Sequence, residues 1–471
     1  MLAAMPPTPL SADAPYPARL PAVSRDRGDA CPGALRLHAA DDGALARIRL
    51  PAGLLTSHQA EVLALAAEEL GDGRLDLTSR GNVQLRGLPA DCGAGLGDRL
   101  RAAGLLPSDR HERARNIVAS PLAGLDGHGY GQVRDWAREL DGLLCAESDT
   151  VHLSGRFLFA LDDGRGDMSA LGADVTLIAT PGPQAVLRVG GVAAAPETAG
   201  APVASGVPED RDGTPECALL VPAEEGPRAA VLAALEFLAA VRESGTGVWR
   251  VRELPPRHAV SARRLAGRLA EAGVPAAPAG SAAGAGPTPV RPAGAPAIGL
   301  LEGPDGGCAL SALAPLGRLT SAQWRLLART AARHGTDELR MTPWRGVVLP
   351  GLARGDGRAR LAELAAAGLV VDAGSPWHGV SACTGRPGCA KSLSDVRADA
   401  ARAGRGTPGG LPVHWSGCER RCGHPGTGHW VDVLSEGDGY RISVRGEPAR
   451  PAQVVTAEQA ADAVAAARGT T

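Results

Sequence analysis

The strongest constraint on what this chain can fold into is an internal repeat. Sliding the 471-residue sequence by 264 positions lays Pro51–Leu85 on Pro315–Leu349 without a gap, and 14 of the 35 positions are identical. Pro51/Pro315, Thr56/Thr320, Gly71/Gly335 and Thr78/Thr342 are among them. Each copy reads as a Pro-x-Gly turn, a Leu-Thr-Ser helix start, an apolar-periodic helix, a glycine break and an alternating strand such as Leu75–Arg80. A second pair of blocks matches at a shift of 262: Val151–Gly155 (VHLSG) falls on Val413–Gly417 (VHWSG), and Val118 on Val380. Two ordered blocks at nearly one spacing point to duplication rather than to chance similarity in an Ala-rich chain. The expected fold class is therefore α+β, built from two pseudo-twofold halves, about 31–272 and 298–471.

Each half divides into a small α+β module and a larger α/β module. The expected order is a disordered tail at 1–30, a small module at 31–113, an α/β module without clustered cysteines at 114–272, a linker at 273–297, a second small module at 298–378 and a second α/β module at 379–471. The linker assignment is compositional. Ala272–Val290, 19 residues without a charge, consists of Ala, Gly, Pro, Ser, Thr and Val with four prolines, which suits a spacer and not a membrane span.

Composition narrows the function classes. Apolar residues make up 44%, enough for substantial cores, and 49 basic residues against 51 acidic ones leave no global field for nucleic acid or an anionic membrane. Neither is expected as a partner. The N-terminal stretch is broken by prolines where an apolar signal core would run, so a cytoplasmic location is expected. One lysine, Lys391, stands against 48 arginines, a codon bias that lets arginine occupy places where a relative carries lysine. Arginine richness alone thus carries no argument.

Nine cysteines without an export signal suggest a reducing compartment, where clustered thiols bind metal instead of forming disulfides. Four of them are clustered: Cys383, Cys389, Cys418 and Cys422, spaced C-x5-C-x28-C-x3-C among Gly385, Gly388, Gly417 and Gly423. Four soft anionic donors on glycine-bearing turns suit an iron–sulfur cube; structural zinc, which prefers shorter spacings such as C-x2-C, is the alternative. Cys31, Cys92, Cys145, Cys217 and Cys308 are scattered and are expected to be packed or surface thiols. The shift of 262 sets Cys383 on Pro121, Cys418 on Arg156 and Cys422 on Ala160, so the first copy lacks the thiols. His414, His424 and His429 flank the block as expected hydrogen-bonding or surface residues, with Trp377, Trp415 and Trp430 as its apolar shell.

This cysteine pattern at the end of a duplicated chain resembles the nitrite/sulfite reductase superfamily, and the likeness covers most of residues 31–450. It implies ferredoxin-like small modules and a 4Fe–4S cluster lying against a tetrapyrrole. The segments Arg47–Gly53, Leu77–Gly87 and Arg113–Asn116 resemble that family's tetrapyrrole-cradling segments, which implies Arg49, Arg80, Arg86 and Arg115 as substrate-binding residues. Guanidinium forks suit the many carboxylates of such a macrocycle, since they bind carboxylates bidentately while remaining charged.

Two features resemble the branch of precorrin-3B synthases. The reductases place a Lys-x-Lys pair where this chain has Leu153–Phe159; Arg156 can replace one lysine, but Leu158 cannot replace the other. Asp29–Gly33, Arg156–Asp162 and Leu339–Arg345 also look like the synthase versions of their segments. The resemblance implies O2- and NADH-dependent hydroxylation and lactone formation on precorrin-3A in aerobic cobalamin biosynthesis. It implies Arg156 as a catalytic residue, the four cysteines as 4Fe–4S ligands and a mononuclear non-haem iron whose ligands are not carried over. No G-x-G-x-x-G frame is present around Gly190, so a separate electron-donating reductase is expected as a partner. Sirohaem belongs only to the alternative reading, a sirohaem-dependent nitrite or sulfite reductase.

Overall fold

The computed structural model describes residue 29 and residues 31–131, 133–190, 217–279, 294–403, 410–425, 428–446 and 451–469. The expected tail at 1–30, apart from Asp29, and positions 280–293 of the expected linker lie outside the described residues.

The 264-residue repeat is structural. Strands Gly43–Ile48 and Gly307–Leu313, turns Pro51–Gly53 and Pro315–Gly317, strands Leu54–Thr56 and Arg318–Thr320, helices Ser57–Leu70 and Ser321–His334, and strands Arg74–Leu77 and Glu338–Met341 all begin 264 residues apart. Local chemistry repeats with them. Thr56 with Gln59, and Thr320 with Gln323, form the same reciprocal capping box at the helix N-terminus. The turn before each helix holds a non-glycine residue in the left-handed region, Ala52 at φ 55° and Leu316 at φ 53°. Such a conformation costs about 1–2 kcal/mol, and both copies retain it. Behind it, Gly53 lies so close to the opposite half that a Cβ there would meet the Met341 carbonyl oxygen at 2.0 Å.

The two small modules are not separate bodies. Leu54–Thr56 pairs with Glu338–Met341 of the second copy, and Arg318–Thr320 pairs with Arg74–Leu77 of the first. Each five-stranded antiparallel sheet is thus completed by a strand from the other half. One apolar core serves both, joining Leu63, Leu75 and Leu85 to Trp324, Leu339 and Leu349.

The larger modules repeat a sheet topology. In the first, Ile117–Ala119, Phe159–Asp162 and Val175–Ala179 run parallel, followed by antiparallel Gln184–Val189 and Cys217–Pro222. In the second, Val380–Ala382, Val413–Ser416 and Trp430–Glu436 run parallel, followed by antiparallel Gly439–Arg445 and Gln453–Thr456. This topology corrects the sequence pairing of VHLSG with VHWSG. Val413–Ser416 is the counterpart of Phe159–Asp162, at a shift of 254, whereas Ser148–His152 is a short 3-10 turn. Identical letters here occupy different structures. At the corrected shifts Ser120 lies opposite Cys383, Gly164 opposite Cys418 and Met168 opposite Cys422, so the first copy still offers no thiol. The first module also reaches past residue 272, because Ala277–Pro278 adds an edge strand to its sheet.

Each large module docks on the small module of the opposite half. Arg340 donates to the carbonyls of Pro121 and Ala123 at 2.8 and 2.9 Å, and Arg134 pairs with Glu338 at 3.2 Å. In the mirrored contact, Arg397 pairs with Asp76 at 2.9 Å and also donates to the Cys383 carbonyl at 3.2 Å. Asp76 and Arg340 stand 264 residues apart. The same strand position therefore anchors both crossings.

Candidate metal and anion-binding site

The cysteine site is assembled at the carboxyl ends of parallel strands, where a chain leaving the sheet is free to bend. Cys383 follows Val380–Ala382, and Cys418 with Cys422 follows Val413–Ser416. Cys383, Cys389 and Cys418 are half-buried, and Cys422 is exposed. Burial raises the Cys383 thiol; the N–H groups of Gly417 and Gly385 oppose this, and the sulfurs of Cys422 and Cys418 are near enough to add to it. The Gly417 N–H reaches the Cys383 sulfur at 3.3 Å. A Cβ on Gly417 would collide with Ser392 Oγ at 1.8 Å, so the loop passes where only glycine fits.

These features fit an iron–sulfur cluster: four thiol donors, a backbone N–H turned on sulfur and close-packed glycine turns. The Cys389 loop is held by the first half. Arg86 makes a forked pair with Asp42, Nε and Nη2 each at 2.9 Å, and donates to the Gly388 carbonyl at 2.8 Å; the Ala390 N–H donates to Asp41.

The flanking rings behave largely as expected. His414 is fully buried with Nδ1 2.8 Å from Ser381 Oγ, and burial, reinforced by nearby Arg345, drives it down to about 3, so the ring is neutral. Its Nε2 makes no hydrogen bond of normal geometry, although the Cys422 backbone lies near enough to favour a proton there. His424 stacks on Trp430 at 5.4 Å, and Trp415 packs edge-on against Tyr440 at 5.1 Å.

The arginines expected to form one cradle divide into two groups. Arg49 and Arg80 converge: Arg49 Nη2 and Arg80 Nη1 both donate to the Gly155 carbonyl, at 3.4 and 3.3 Å. Arg47 and Arg250 join them electrostatically. Burial first, then the neighbouring guanidiniums, bring Arg49 and Arg80 down to about 10. Arg49 is 3% exposed, yet its Nε and Nη1 have no hydrogen-bond partner, and neither has Arg47 Nε. Buried, unpaired N–H groups on mutually repelling cations make a cluster that favours an anion.

Arg86 and Arg115 are committed elsewhere. Arg86 braces the Cys389 loop, and Arg115 is locked in a forked pair with Asp141 at 2.6 and 2.7 Å and to the Leu105 carbonyl at 3.1 Å. Arg156 is exposed at the rim, its guanidinium carbon 4.7 Å from the Trp249 ring centroid.

Two residues at this cluster were not singled out from the sequence: Arg250, which carried no motif, and Asp29, which only opened the Asp29–Gly33 segment. Arg250 reaches it from the loop after helix Gly226–Ser244 and is anchored to Asp174 at 2.6 Å and the Gly172 carbonyl at 2.7 Å. Asp29 fastens the rim loop, accepting from Ser154 Oγ at 2.9 Å, the Gly155 N–H at 2.8 Å and the Cys31 N–H at 3.0 Å. The adjacent Trp249-Arg250 pair, aromatic beside basic, is a sequence signal that could have pointed to Arg250.

A third grouping lies near the first copy's counterpart of the cysteine site. Asp162, Asp163 and Asp167 present oxygens within 4.8 Å of one another. Asp162 accepts from the N–H groups of Gly164, Gly166, Met168 and Ser169, Asp163 pairs with Arg165 at 2.7 Å, and Asp167 accepts from Ser120 Oγ at 2.6 Å. These bonds account for the trio as a loop anchor. Among the described residues, no helix is long and apolar enough to cross a membrane.

The profile of the nitrite/sulfite reductase ferredoxin-like half domain matches residues 38–103 and 301–367, the two strand-exchanged small modules. The two small modules are thus nitrite/sulfite reductase ferredoxin-like half domains, and the duplicated chain is similar over most of its length to members of the nitrite/sulfite reductase superfamily. Among named relatives, a precorrin-3B synthase of Sinorhizobium sp is 28% identical over 435 residues, covering 90% of this chain and 84% of its own. The ferredoxin–nitrite reductase of Synechococcus elongatus is 27% identical over 410 residues, covering 81% and 74%. In structure, the Mycobacterium tuberculosis NirA protein superposes with a TM-score of 0.64 at 19% identity, over 89% of this chain and 79% of its own, a likeness of fold.

Proposed function

We propose that this protein is an oxidoreductase of the precorrin-3B synthase type. It binds precorrin-3A, hydroxylates the ring at C20 and closes the lactone, using dioxygen and electrons drawn ultimately from NADH through a separate reductase. Cys383, Cys389, Cys418 and Cys422 hold a 4Fe–4S cluster, which supplies one-electron transfer. Arg49 and Arg80 hold ring carboxylates, and a carboxylate seated on the unpaired N–H groups of Arg49 relieves the repulsion among Arg47, Arg49 and Arg80. The Asp29-fastened loop sets Arg156 at the open rim, where the reacting edge of the macrocycle lies.

The observation that carries this reading is Leu158. It stands where the reductase pattern has its second lysine, and it is 4% exposed in an apolar cluster with Val118, Ala160, Met168 and Ala173. Its backbone N–H is fixed to Asp174 at 2.8 Å. A side chain so placed delivers no protons to a multi-electron oxyanion reduction. The runner-up, a sirohaem-dependent nitrite or sulfite reductase, draws on the nitrite reductase relatives.

The deciding experiment titrates anaerobically purified protein with precorrin-3A by absorbance, then admits air and follows product mass. Gain of one oxygen supports the reading. Bound sirohaem, robust six-electron reduction of nitrite or sulfite with reduced viologen, and no turnover of precorrin-3A would transfer the assignment to the runner-up.

A further inference from the structure

We propose that Cys31 lines the anion subsite and that its thiol is a covalent modification site for carboxylate-bearing electrophiles. This rests on the reading that Arg49 and Arg80 receive a carboxylate. The Cys31 sulfur lies 3.8 Å from Arg49 Nη2 and 4.0 Å from Arg47 Nη1. Arg49 supplies the independent sign of a ligand: it is almost wholly buried, and its Nε and Nη1 have no partner.

The thiol is fixed, not incidental. A Cβ on Gly155 would come within 3.1 Å of its sulfur, so it packs against the loop whose carbonyl receives Arg49 and Arg80. The Cys31 N–H bonds Asp29, the same carboxylate that binds Ser154 and Gly155. The residue is half-buried and therefore reachable. An electrophile whose carboxylate sits on Arg49 brings its reactive carbon to this sulfur, which raises the effective concentration of the reaction. With iodoacetate, sulfur attacks the methylene carbon, the C–I bond breaks, iodide leaves with the bonding pair and the thiol proton passes to solvent.

Ordinary thiols lack this preference for the anion, and the chain carries its own reference. Cys145 is also half-buried, but it lies beside Asp141, which together with burial pushes its thiol up. Anaerobically purified full-length protein is treated with iodoacetate and, separately, with iodoacetamide, and the labelling rates at Cys31 and Cys145 are read by peptide mass. The iodoacetate-to-iodoacetamide ratio should be at least about tenfold higher at Cys31. Arg49→Ala should abolish the excess and Arg49→Lys should keep part of it. Equal ratios at the two thiols in the unmodified protein overturn the proposal, whatever the variants do.

The two readings fail separately. No iodoacetate preference, with precorrin-3A binding still weakened by Arg80→Ala, removes the Cys31 subsite and leaves the substrate reading. A preference that precorrin-3A does not shield supports the subsite and counts against the substrate.

Discussion

Trp324 donates its indole N–H to the carbonyl of Ala60 at 2.7 Å, and the two residues stand 264 positions apart. They occupy the same place in the two copies, so this contact lies on the pseudo-twofold relation itself. The next pair repeats it, Arg325 with Glu61 at 2.8 Å. Trp324 is fully buried in the core common to both small modules. Trp324→Phe keeps most of the packing and loses only this hydrogen bond, the Ala60 carbonyl keeping its place in helix Ser57–Leu70, and should cost about 0.5–1.5 kcal/mol. Trp324→Ala adds a cavity and should cost about 3–5 kcal/mol. In both variants, chemical denaturation followed by fluorescence and by circular dichroism should show the two halves losing stability together.

The cysteine assignment predicts a sharp division among six thiols. Replacing Cys383, Cys389, Cys418 or Cys422 by Ser should abolish or severely perturb cluster content, while Cys92→Ser and Cys217→Ser leave it intact. Anaerobic iron and sulfide quantitation checks this, and a fully retained cluster in the Cys418 variant would sink the assignment.

The arginines should divide as their partners do. Arg80→Ala should weaken precorrin-3A binding about ten- to a hundredfold with unchanged iron content. Arg80→Lys should restore only part of it, because the fork is lost. Arg115→Ala leaves Asp141 without its buried partner and should cost roughly 3–5 kcal/mol in stability, with little effect on the affinity of protein that remains folded. Absorbance titration beside a denaturation curve separates the two.

How much of this was legible in sequence follows from what each feature needs. The repeat was readable because helix caps and turns are local, and Thr56/Thr320 and Pro51/Pro315 are the residues those structures require. The strand exchange was not, since a three-residue strand such as Leu54–Thr56 records no preference for one sheet edge over another. VHLSG misled because five letters do not encode whether the chain is turn or strand. Motif position picked out Arg49 and Arg80, whose guanidiniums do converge on the Gly155 carbonyl, but it could not reveal that Asp42 and Asp141 already occupy Arg86 and Arg115. Arg250 and Asp29 lie far along the chain from the motifs they support, and only folding brings them there.

Stability should fall as pH rises through neutrality, because of Asp167. Burial, aided by nearby Asp162 and Asp163 and opposed by the Ser120 hydrogen bond, pushes this carboxyl from its ordinary 3.8 up to about 7. A native value above the unfolded one means the folded state holds the proton more tightly. The stabilisation is complete below about pH 3.8 and is lost as pH climbs to 7 and beyond. Asp167→Asn, which still accepts from Ser120, should flatten this group's share of the slope, about 2–3 kcal/mol between pH 5 and 8. Urea denaturation of both proteins at the two pH values tests it.

Cleavage between residues 280 and 293 should leave the halves together. The exchanged strands and the Arg340 and Arg397 crossings tie each half to the other without help from the chain between them. Size-exclusion chromatography after limited proteolysis reads the outcome; two stable, separate halves would contradict it.

The exchanged strands also impose an order on biosynthesis. As the chain leaves the ribosome, Arg74–Leu77 emerges early, but its outer partner, Arg318–Thr320, follows only after the whole first α/β module. Until then the nascent sheet presents an open edge, the kind of surface on which growing chains aggregate. The Cys389 loop likewise needs Arg86 and Asp42 to be already in place. On the proposed ligand set, metal loading is therefore a terminal event: a ribosome that stalls before residue 320 leaves the first sheet open, and one that stalls before residue 422 leaves the proposed set of cluster thiols incomplete.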